Sequence, residues 1–464
     1  MTLKLNRWKL VVLLTFITLV GILVVSNAKG AIALSPKLIR VGLLTNSPGT
    51  ALSFGAGYQL VDKATGKAIC ELTANDQVQF TPEGLGEVAI LAAAGTTTIQ
   101  TGAELYSLGQ DGNPVKTMLE QIFMTAEDTV PRLTRGITVS TSQQAFGTFA
   151  GPIVVRKILP DGEGLVSLGN KQYRGNMEVR LDSNNSLTVI NELPLEQYLY
   201  GVVASEMPSS WPLEGLKAQA VAARNYALRQ QQTGRFSANG FDVTATDLSQ
   251  VYGGFGSEKE KTTTAVDATR GVVMLAEGKP INAVYHSSSG GYTENSEEVW
   301  NYPASYLKTK LDTLDVNTSH YNWQFPLTGF MTMEEAKTKL QAIKGWSFGT
   351  ITNLAAEKMT ASGSRIQILR IEGTDPTGNP KVEKLFNADI VRSAFGLKSA
   401  PKEIILNLGV DGKLQGVVFK GSGWGHGVGM SQWGARGMAQ AGNDYRTILQ
   451  YYYTGVTIAE NYAE

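Results

Sequence analysis

The sequence has 464 residues, with 41 basic and 41 acidic side chains, so its formal net charge is zero. This balance provides no long-range attraction to nucleic acid, which is therefore not an expected partner. The single cysteine, Cys70, excludes an intrachain disulfide and a zinc cage built from cysteines. Fifty glycines, with frequent Asn, Thr and Ser, indicate a turn-rich and largely β protein.

The first 30 residues have the pattern of an export signal. Lys4, Arg7 and Lys9 precede an uncharged apolar run from Leu10 to Val25, which a small-residue tail follows. The run is slightly shorter than the ~20 residues of a spanning helix, although its flanks extend it. Residues 1–30 are therefore expected to be a cleaved signal peptide or a retained membrane anchor. Either one places the remainder outside the cytoplasm, secreted or anchored to the outer face of the cytoplasmic membrane.

Residues 31–152 consist of short β-type runs separated by turns. Ile39–Leu44 and Gly136–Ser140 are examples of these predicted strands. No catalytic set of residues assembles in this region, so we expect it to pack against the rest of the chain or to contact the wall or a partner. More strands are predicted from Ile153 to Ile190, at the start of a second region that spans residues 153–464.

The stretch from Leu193 to Arg229 predicts two helices joined by a tight polar loop. Pro194 suits the first turn of the first helix, because its missing N–H has no helical partner there. Pro208 ends that helix, since the residue before a proline avoids the helical region. Pro212 then opens the second helix, in which apolar residues again recur every three or four positions.

Glu206 lies at the end of the first predicted helix and faces the loop. A helix C-terminus carries partial negative charge, and the apolar neighbours Val203, Met207 and Trp211 would desolvate a carboxylate. Both effects raise the pKa of the Glu206 carboxyl, which suits a general acid at neutral pH. The alternative is that Glu206 is an ordinary exposed residue at a helix end.

Two of the three histidines lie in Gly/Ser-rich loops. His286 follows a predicted strand, and His426 lies in a glycine-rich stretch that ends where Ser431 suits the N-cap of a helix. No Gly-Lys-Ser/Thr sequence follows, which excludes a phosphate loop. No nucleophile elbow supports a Ser/His hydrolase through Ser287 or Ser431. Each histidine alone is more often a hydrogen-bonding loop residue than a catalyst.

Five separated motifs together resemble the SpoIID/LytB family. They occur in the family's order, and the resemblance covers about Ile39 to Val456, most firmly from Asn191 onward. The matching stretches are Leu193–Pro208, Leu216–Arg224, Gln250–Gly254, Tyr285–Gly291 and Gly425–Gln432.

The resemblance implies a lytic transglycosylase that cleaves peptidoglycan glycan strands between N-acetylmuramic acid and N-acetylglucosamine and forms 1,6-anhydro ends. The family's catalytic glutamate falls on Glu206 and its required arginine on Arg224, which either favours an ionised Glu206 or holds substrate. One acid is enough because the 6-hydroxyl of the muramic acid is the nucleophile, whereas ordinary glycosidases need two carboxylates. The expected substrate-binding residues are Gln250, Tyr252, Tyr285, His286, Ser287, Ser288, Trp424, His426, Ser431 and Gln432.

Neither a metal nor another cofactor is expected. Some members of the family bind zinc through Cys and His just before the Gln-Val-Tyr motif, but residues 243–249 contain neither. The implied partners are glycan strands, a cell-wall amidase, and membrane proteins of the septal or engulfment machinery. The alternative function is a non-catalytic wall-binding module that enhances an N-acetylmuramoyl-L-alanine amidase.

The expected fold is α+β and β-rich. A central helix pair carries Glu206 within a catalytic domain at residues 153–464, and a mainly β region at 31–152 precedes it. We expect Glu206, Arg224, His286 and His426 to line one open cleft, because loops at strand and helix ends can converge. The alternative is that Gly425–Gly427 only makes a tight turn that closes a barrel or sheet.

Overall fold

The computed structural model describes residues 37–462, with gaps at 73, 75, 84–86, 93–94, 101–105, 109–113, 117–131, 134–135, 141–144, 150, 159–163, 316–317 and 319. The expected signal or anchor at residues 1–30 lies outside the described part. Among the described residues, no helix has both the length and the apolar character that crossing a membrane requires.

In the described part of the chain, strands dominate before residue 195, and helices and strands mix after it. The strands are β1 Leu38–Ser47, β2 Thr50–Phe54, β3 Tyr58–Asp62, β4 Ala68–Leu72, β5 Gln77–Glu83, β6 Glu87–Ala92, β7 Gly95–Gln100, β8 Tyr106–Leu108, β9 Pro114–Lys116, β10 Arg132–Leu133, β11 Gly136–Ser140, β12 Ala145–Phe149, β13 Ile153–Lys157, β14 Val166–Leu168, β15 Lys171–Tyr173, β16 Asn176–Leu181, β17 Leu187–Pro194, β18 Val243–Thr244, β19 Val273–Ala276, β20 Lys279–Pro280, β21 Tyr285–His286, β22 Trp323–Phe325, β23 Met331–Thr332, β24 Thr350–Met359, β25 Ile366–Thr374, β26 Pro380–Phe386, β27 Glu403–Leu408, β28 Leu414–Gly421, β29 Met430–Ser431 and β30 Thr457–Ala459. The α-helices among the described residues are α1 Leu195–Glu206, α2 Leu213–Thr233, α3 Glu260–Asp267, α4 Ser296–Trp300, α5 Met333–Lys344, α6 Ala388–Phe395, α7 Gln432–Gln440 and α8 Tyr445–Tyr452. The predicted α+β, β-rich class is confirmed.

Two sheets share one hydrophobic core in the first part of the chain. Within the described residues, one has the strand order β18-β1-β17-β16-β13-β3-β4 and the other β12-β11-β5-β2-β14-β15. Val41 and Ile153 of the first sheet belong to the same buried cluster as Leu52 and Phe80 of the second. Burying apolar area from both sheets in one cluster is the main favourable contribution to this part of the fold.

The expected division at residues 152/153 does not follow these sheets. Strand β13 pairs with β3, and β17 pairs with β1 from Leu38 opposite Pro194 to Ser47 opposite Leu187. Strands on either side of the expected boundary are therefore neighbours in one hydrogen-bonded sheet. The described strands of the N-terminal region and the first strands of the expected catalytic domain form a single β structure.

Helices α1 and α2 are the predicted helix pair, and prolines define their ends. Pro194 and Pro212 are the N-cap residues, and α1 stops at Glu206 because Met207, which precedes a proline, is extended. Gly234 ends α2 in a left-handed conformation with φ of 63°. The carboxylate of Glu206 is thereby fixed at a helix end beside a loop.

A buried ion pair joins the two helices. Arg224 is 1% exposed, and its Nε and Nη2 donate to the Glu196 carboxylate at 2.8 and 2.6 Å. Its Nη1 also donates to the carbonyl of Val272, just before β19, at 3.1 Å. A two-point hydrogen-bonded pair of this kind satisfies a guanidinium where little water reaches it. Arg224 therefore fixes α2 against α1 and against the chain that enters β19.

A separate hydrophobic cluster holds together a module between Trp323 and Phe419. It contains α5, α6, a three-stranded sheet in the order β24-β25-β26, and a sheet in which β28 pairs with β22, β23 and β27. Thr332 and Glu335 form a reciprocal capping box at the start of α5. Strand β28 ends at Gly421, so this module leads directly into the second glycine-rich loop.

We predict that replacing Arg224 with Met lowers the free energy of unfolding by about 3–5 kcal/mol, because a mostly buried Glu196 carboxylate loses its cation. Urea denaturation of the full chain measures the loss. Arg270→Met is the matched control, since the Arg270–Asp267 pair is exposed and contributes less than about 1 kcal/mol. Equal losses in the two variants would refute the structural role of Arg224.

Candidate functional site

A cavity of about 750 Å³ lies where the end of α1, one face of α2, the loop before residue 252 and both glycine-rich loops meet. Its walls are formed by Glu206, Tyr226, Gln230, Arg235, Asp247, Leu248, Ser249, Val251, Asn282, Val284, Tyr285, His286, Ser287, Trp300, Asp389, Arg392, Trp424, Gly425, His426 and Gln432. The structure thus brings Glu206, His286 and His426 together, as the shared-cleft hypothesis requires. Their individual roles stay predictions.

Glu206 is half-buried in this cavity and is held by two other parts of the chain. Its Oε1 accepts the backbone N–H of Val251 at 2.8 Å, and its Oε2 accepts the Gln432 side-chain amide at 3.4 Å. Burial raises the pKa of the Glu206 carboxyl, while hydrogen bonds from Val251, Gln432 and Tyr285 act in the opposite direction. The net pKa is raised, and the nearby charge of Asp247 adds to the increase.

A chain of hydrogen bonds positions the Tyr285 hydroxyl beside Glu206. The side-chain amide of Gln250 donates to Tyr285 Oη at 3.0 Å, and its carbonyl accepts the Tyr198 hydroxyl at 3.2 Å. Gln250 is 1% exposed, so it reaches the cavity only through Tyr285. A hydroxyl that already accepts the Gln250 amide is left to donate its own hydrogen to the Glu206 carboxylate.

The two histidines are held in fixed neutral forms. His426 Nε2 donates to the Tyr285 carbonyl at 3.0 Å, and its Nδ1 accepts the Val428 N–H at 3.0 Å. His286 Nδ1 donates to the Val428 carbonyl at 3.1 Å, which leaves Nε2 as a buried acceptor with no partner among the described residues. Burial lowers the pKa of both rings, that of His426 to about 4. Both side chains are therefore uncharged at neutral pH.

Aromatic rings and charged groups complete the walls. Trp300 packs against His426 with ring centroids 4.7 Å apart, and Trp424 is 45% exposed at the rim. Lys398 lies over the Trp424 ring at 5.1 Å from its centroid. A sugar ring can stack on an exposed indole such as Trp424, and the charged side chains nearby can hydrogen-bond its hydroxyl groups.

The expectation that Arg224 acts on Glu206 or on substrate is corrected by its position. The guanidinium is bound to Glu196 beneath the helix pair and is absent from the cavity walls and from the hydrogen-bond partners of Glu206. Arg224 instead positions α1, the helix that carries Glu206.

Four of the expected substrate-binding side chains, Gln250, Tyr252, Ser288 and Ser431, also lie beneath the wall, each at most 2% exposed. Tyr252 Oη donates to the side chain of Asn191 at 3.1 Å. Ser288 and Ser431 make buried hydrogen bonds to a carboxylate and to the first turn of α7. All four are therefore buried beneath the cavity surface, and Gln250 bonds the wall residue Tyr285 directly.

Sequence reasoning missed several residues of the walls. Asp389 and Arg392 come from α6 of the module between residues 323 and 419, and no local pattern connects them to Glu206. Tyr226 and Gln230 lie on α2 at a spacing of four, which is a signal for a shared helix face. Asp247 lies in the stretch of residues 243–249, which contains no Cys or His and no other pattern that points to the cavity.

Comparisons with known proteins agree with the motifs. A family model described as stage II sporulation protein matches residues 183–275, and one described as a domain of unknown function matches 303–429. The chain is 34% identical over 291 residues to stage II sporulation protein D of Bacillus amyloliquefaciens, covering 60% of this chain and 77% of that protein. The chain belongs to the SpoIID family.

Two further relatives extend the comparison of this SpoIID-family chain. An uncharacterized protein of Brachyspira hyodysenteriae is 34% identical over 299 residues, which are 63% of this chain and 74% of the relative. A protein named amidase enhancer, from Bacillus subtilis, is 33% identical over 293 residues, which are 56% of this chain and 40% of the relative. The chain thus matches less than half of the amidase enhancer.

We predict that His426 makes the SpoIID-family fold less stable in acid. Its pKa falls from an ordinary 6.5 to about 4, so below pH 6.5 the unfolded chain binds the proton more readily than the folded chain. The histidine's contribution is complete above pH 6.5 and decreases as the pH falls towards 4. Urea unfolding should show that wild type loses about 1 kcal/mol relative to His426→Gln between pH 7.5 and 5.5.

The difference between the two proteins isolates His426, because the buried carboxyl groups contribute equally to the pH dependence of both unfolding free energies. A difference between wild type and His426→Gln that stays constant over the same pH range would show that His426 is protonated freely in the folded chain.

Proposed function

We propose that this chain is a peptidoglycan lytic transglycosylase that cleaves glycan strands between N-acetylmuramic acid and N-acetylglucosamine, with Glu206 as general acid and then base. The observation that carries the proposal is a carboxyl group with a raised pKa in a large cavity, with donors directed at both of its oxygens. Membership of the SpoIID family supports it. The chemistry itself is our inference from this arrangement.

The surroundings of Glu206 favour both halves of such a reaction. In the first half, protonated Glu206 donates its proton to the glycosidic oxygen as the bond from that oxygen to the muramic acid C1 breaks. In the second, the resulting carboxylate accepts the proton of the 6-hydroxyl, whose oxygen forms a bond to C1. Burial favours the protonated form, and the Val251, Gln432 and Tyr285 donors stabilise the carboxylate. No water is consumed, and Glu206 regains its proton.

A two-carboxylate hydrolysis is the competing chemistry in the same cavity. Asp389 is engaged by Arg392 at 2.7 Å and by the Trp300 indole at 3.3 Å. Asp247 is exposed and close enough to Glu206 to raise its pKa, so it is the candidate base for an attacking water. Hydrolysis would leave reducing ends, whereas transfer to the 6-hydroxyl leaves 1,6-anhydro ends, so the products separate the two mechanisms.

A second candidate function is enhancement of a cell-wall amidase. The relative named amidase enhancer favours it, although the match covers only 40% of that protein. Such an enhancer would bind the wall and assemble with an amidase and with membrane proteins of the septal or engulfment machinery. Either function requires access to peptidoglycan, so we also propose that residues 1–30 export the chain or anchor it to the outer face of the membrane.

The first test is Glu206→Gln, which keeps size and hydrogen bonding but removes the transferable proton. We expect release of 1,6-anhydro products from purified glycan strands, measured by mass spectrometry, to fall about 100-fold or more. Glu260→Gln, an exposed change at the start of α3, is the matched control and should leave activity unchanged.

Near-full activity in Glu206→Gln would place catalysis elsewhere. If neither protein releases products alone, but both stimulate an added amidase on intact sacculi to the same extent, the enhancer function replaces the enzyme.

We further predict that activity survives treatment with EDTA and that elemental analysis finds no stoichiometric zinc. Both nitrogens of His426 and Nδ1 of His286 are already hydrogen-bonded to backbone, which leaves His286 Nε2 as the one histidine nitrogen on the described walls free to bind a metal. Activity that EDTA abolishes and zinc restores would contradict this prediction and would make His286 and His426 the first ligand candidates to test by substitution.

A further inference from the structure

A second cavity, of about 530 Å³, shares Leu248 with the first. We call it the distal groove and define it by Asn46, Arg180, Asp182, Phe236, Asn239 and Leu248. These residues come from the end of β1, the end of β16 and its turn into β17, the turn after α2, and the loop before residue 252. None of the motifs recognised in the sequence contains them.

Arg180 is the feature of the distal groove that most needs an explanation. Its Nε is buried and has no hydrogen-bond partner among the described residues. The carboxylates of Glu178 and Glu192 pair with a different arginine, Arg40, at 2.9 and 2.7 Å. A buried donor without an acceptor costs free energy, so the incompletely paired Arg180 guanidinium is a polar group of the groove wall that the fold itself leaves unexplained.

The backbone at Gly240 is shaped around this arginine. Gly240 has φ of 80°, and a Cβ at this position would lie 1.6 Å from Arg180 Nη1. A side chain there would therefore displace the guanidinium from the wall of the groove. The turn after α2 thus lies directly against the Arg180 guanidinium at the edge of the groove.

The other polar groups indicate an uncharged, hydroxyl-rich ligand. Asp182 lines the same groove as Arg180, so an anion would be attracted by one and repelled by the other. Asn46 and Asn239 add amide donors and acceptors, while Phe236 and Leu248 provide apolar surface. Donors, acceptors and apolar surface in one groove match the hydroxyls, acetamido group and C–H faces of an N-acetylhexosamine.

Arg235 and Leu248 lie at the boundary between the distal groove and the cavity that contains Glu206. Arg235 lines that cavity, and its guanidinium lies over the ring of Phe236, 4.9 Å from the centroid. Leu248 separates the two spaces and is 55% exposed, an apolar ridge that a ligand crossing it would cover.

We propose that the distal groove is a further subsite for an N-acetylglucosamine unit of the same glycan strand whose cleavage site lies at Glu206. This inference rests on the proposed function for the identity of the strand. The subsite should favour long strands over short ones, because only a long strand spans Leu248 and reaches Arg180.

The test compares the full-length wild type with Arg180→Met and Asn239→Ala on purified glycan tetrasaccharides and octasaccharides. The measured quantity is the ratio of kcat/KM for the octasaccharide to that for the tetrasaccharide. We expect Arg180→Met to lower this ratio on the order of tenfold, since a charged donor to the ligand is lost. Asn239→Ala should lower the ratio less than Arg180→Met does. Asn239 is exposed in the turn after α2, so this substitution should leave folding unchanged.

Arg156→Met is the matched control, because Arg156 is exposed on β13 away from both cavities, and it should keep the wild-type ratio. An unchanged ratio in both groove variants overturns the subsite. If wild type cleaves neither oligosaccharide, the proposed function fails, and octasaccharide affinity is compared by calorimetry. Weaker binding by Arg180→Met then supports the subsite, and equal binding overturns it.

Discussion

The whole site depends on backbone hydrogen bonds between two glycine-rich loops, the one that follows His286 and the one that contains His426. Ser288 and Trp424 exchange both of their backbone hydrogen bonds, at 3.1 and 2.8 Å, and β21 pairs with β29 beside them. The loops approach so closely that a Cβ at Gly423 would lie 2.5 Å from the Ser288 carbonyl oxygen. Glycine is thus required there for contact as well as for its positive φ. This contact places the loop of His286 beside the loop of His426, and Gln432 then connects the second loop to Glu206.

A buried cation from the module between Trp323 and Phe419 binds both of these loops. Arg365 is 1% exposed and donates to the carbonyls of Gly425 and Ser289, one on each loop, at 3.0 and 3.1 Å. Its countercharge is Glu294, fully buried, with Nε 3.4 Å from the carboxylate. Charges so far from water persist only where each is paired and hydrogen-bonded, which makes this arrangement rigid. The rim of the cavity is therefore built on the module between residues 323 and 419.

The sequence predicted the parts of the site that local chemistry determines. Proline positions placed Glu206 at a helix end, and glycine patterns identified the loops of His286 and His426. Helical rotation explains the error at Arg224. An α-helix turns by about 100° per residue, so Arg224 and Tyr226, two positions apart, point to nearly opposite sides of α2. Neither the sequence motif nor the apolar periodicity shows which of these sides faces the cavity. The partner of Arg224, Glu196, lies 28 positions away and becomes adjacent only when α1 and α2 pack. Asp389 and Arg392 were beyond prediction for the same reason, since a tertiary contact alone brings α6 to the wall.

The two regions that match family models, residues 183–275 and 303–429, contribute different groups to the cavity. The region matched at 183–275 contributes Glu206, the helix pair and the Val251 N–H that binds the carboxylate. The region matched at 303–429 contributes Asp389, Arg392, Trp424 and His426 to the walls of the same cavity. The first set adjusts the proton affinity of one carboxyl group, and the second presents aromatic and charged surface to whatever enters. Changes at Asp389, Arg392 or Trp424 would therefore alter what the cavity binds while leaving Glu206 and its donors Val251, Tyr285 and Gln432 in place.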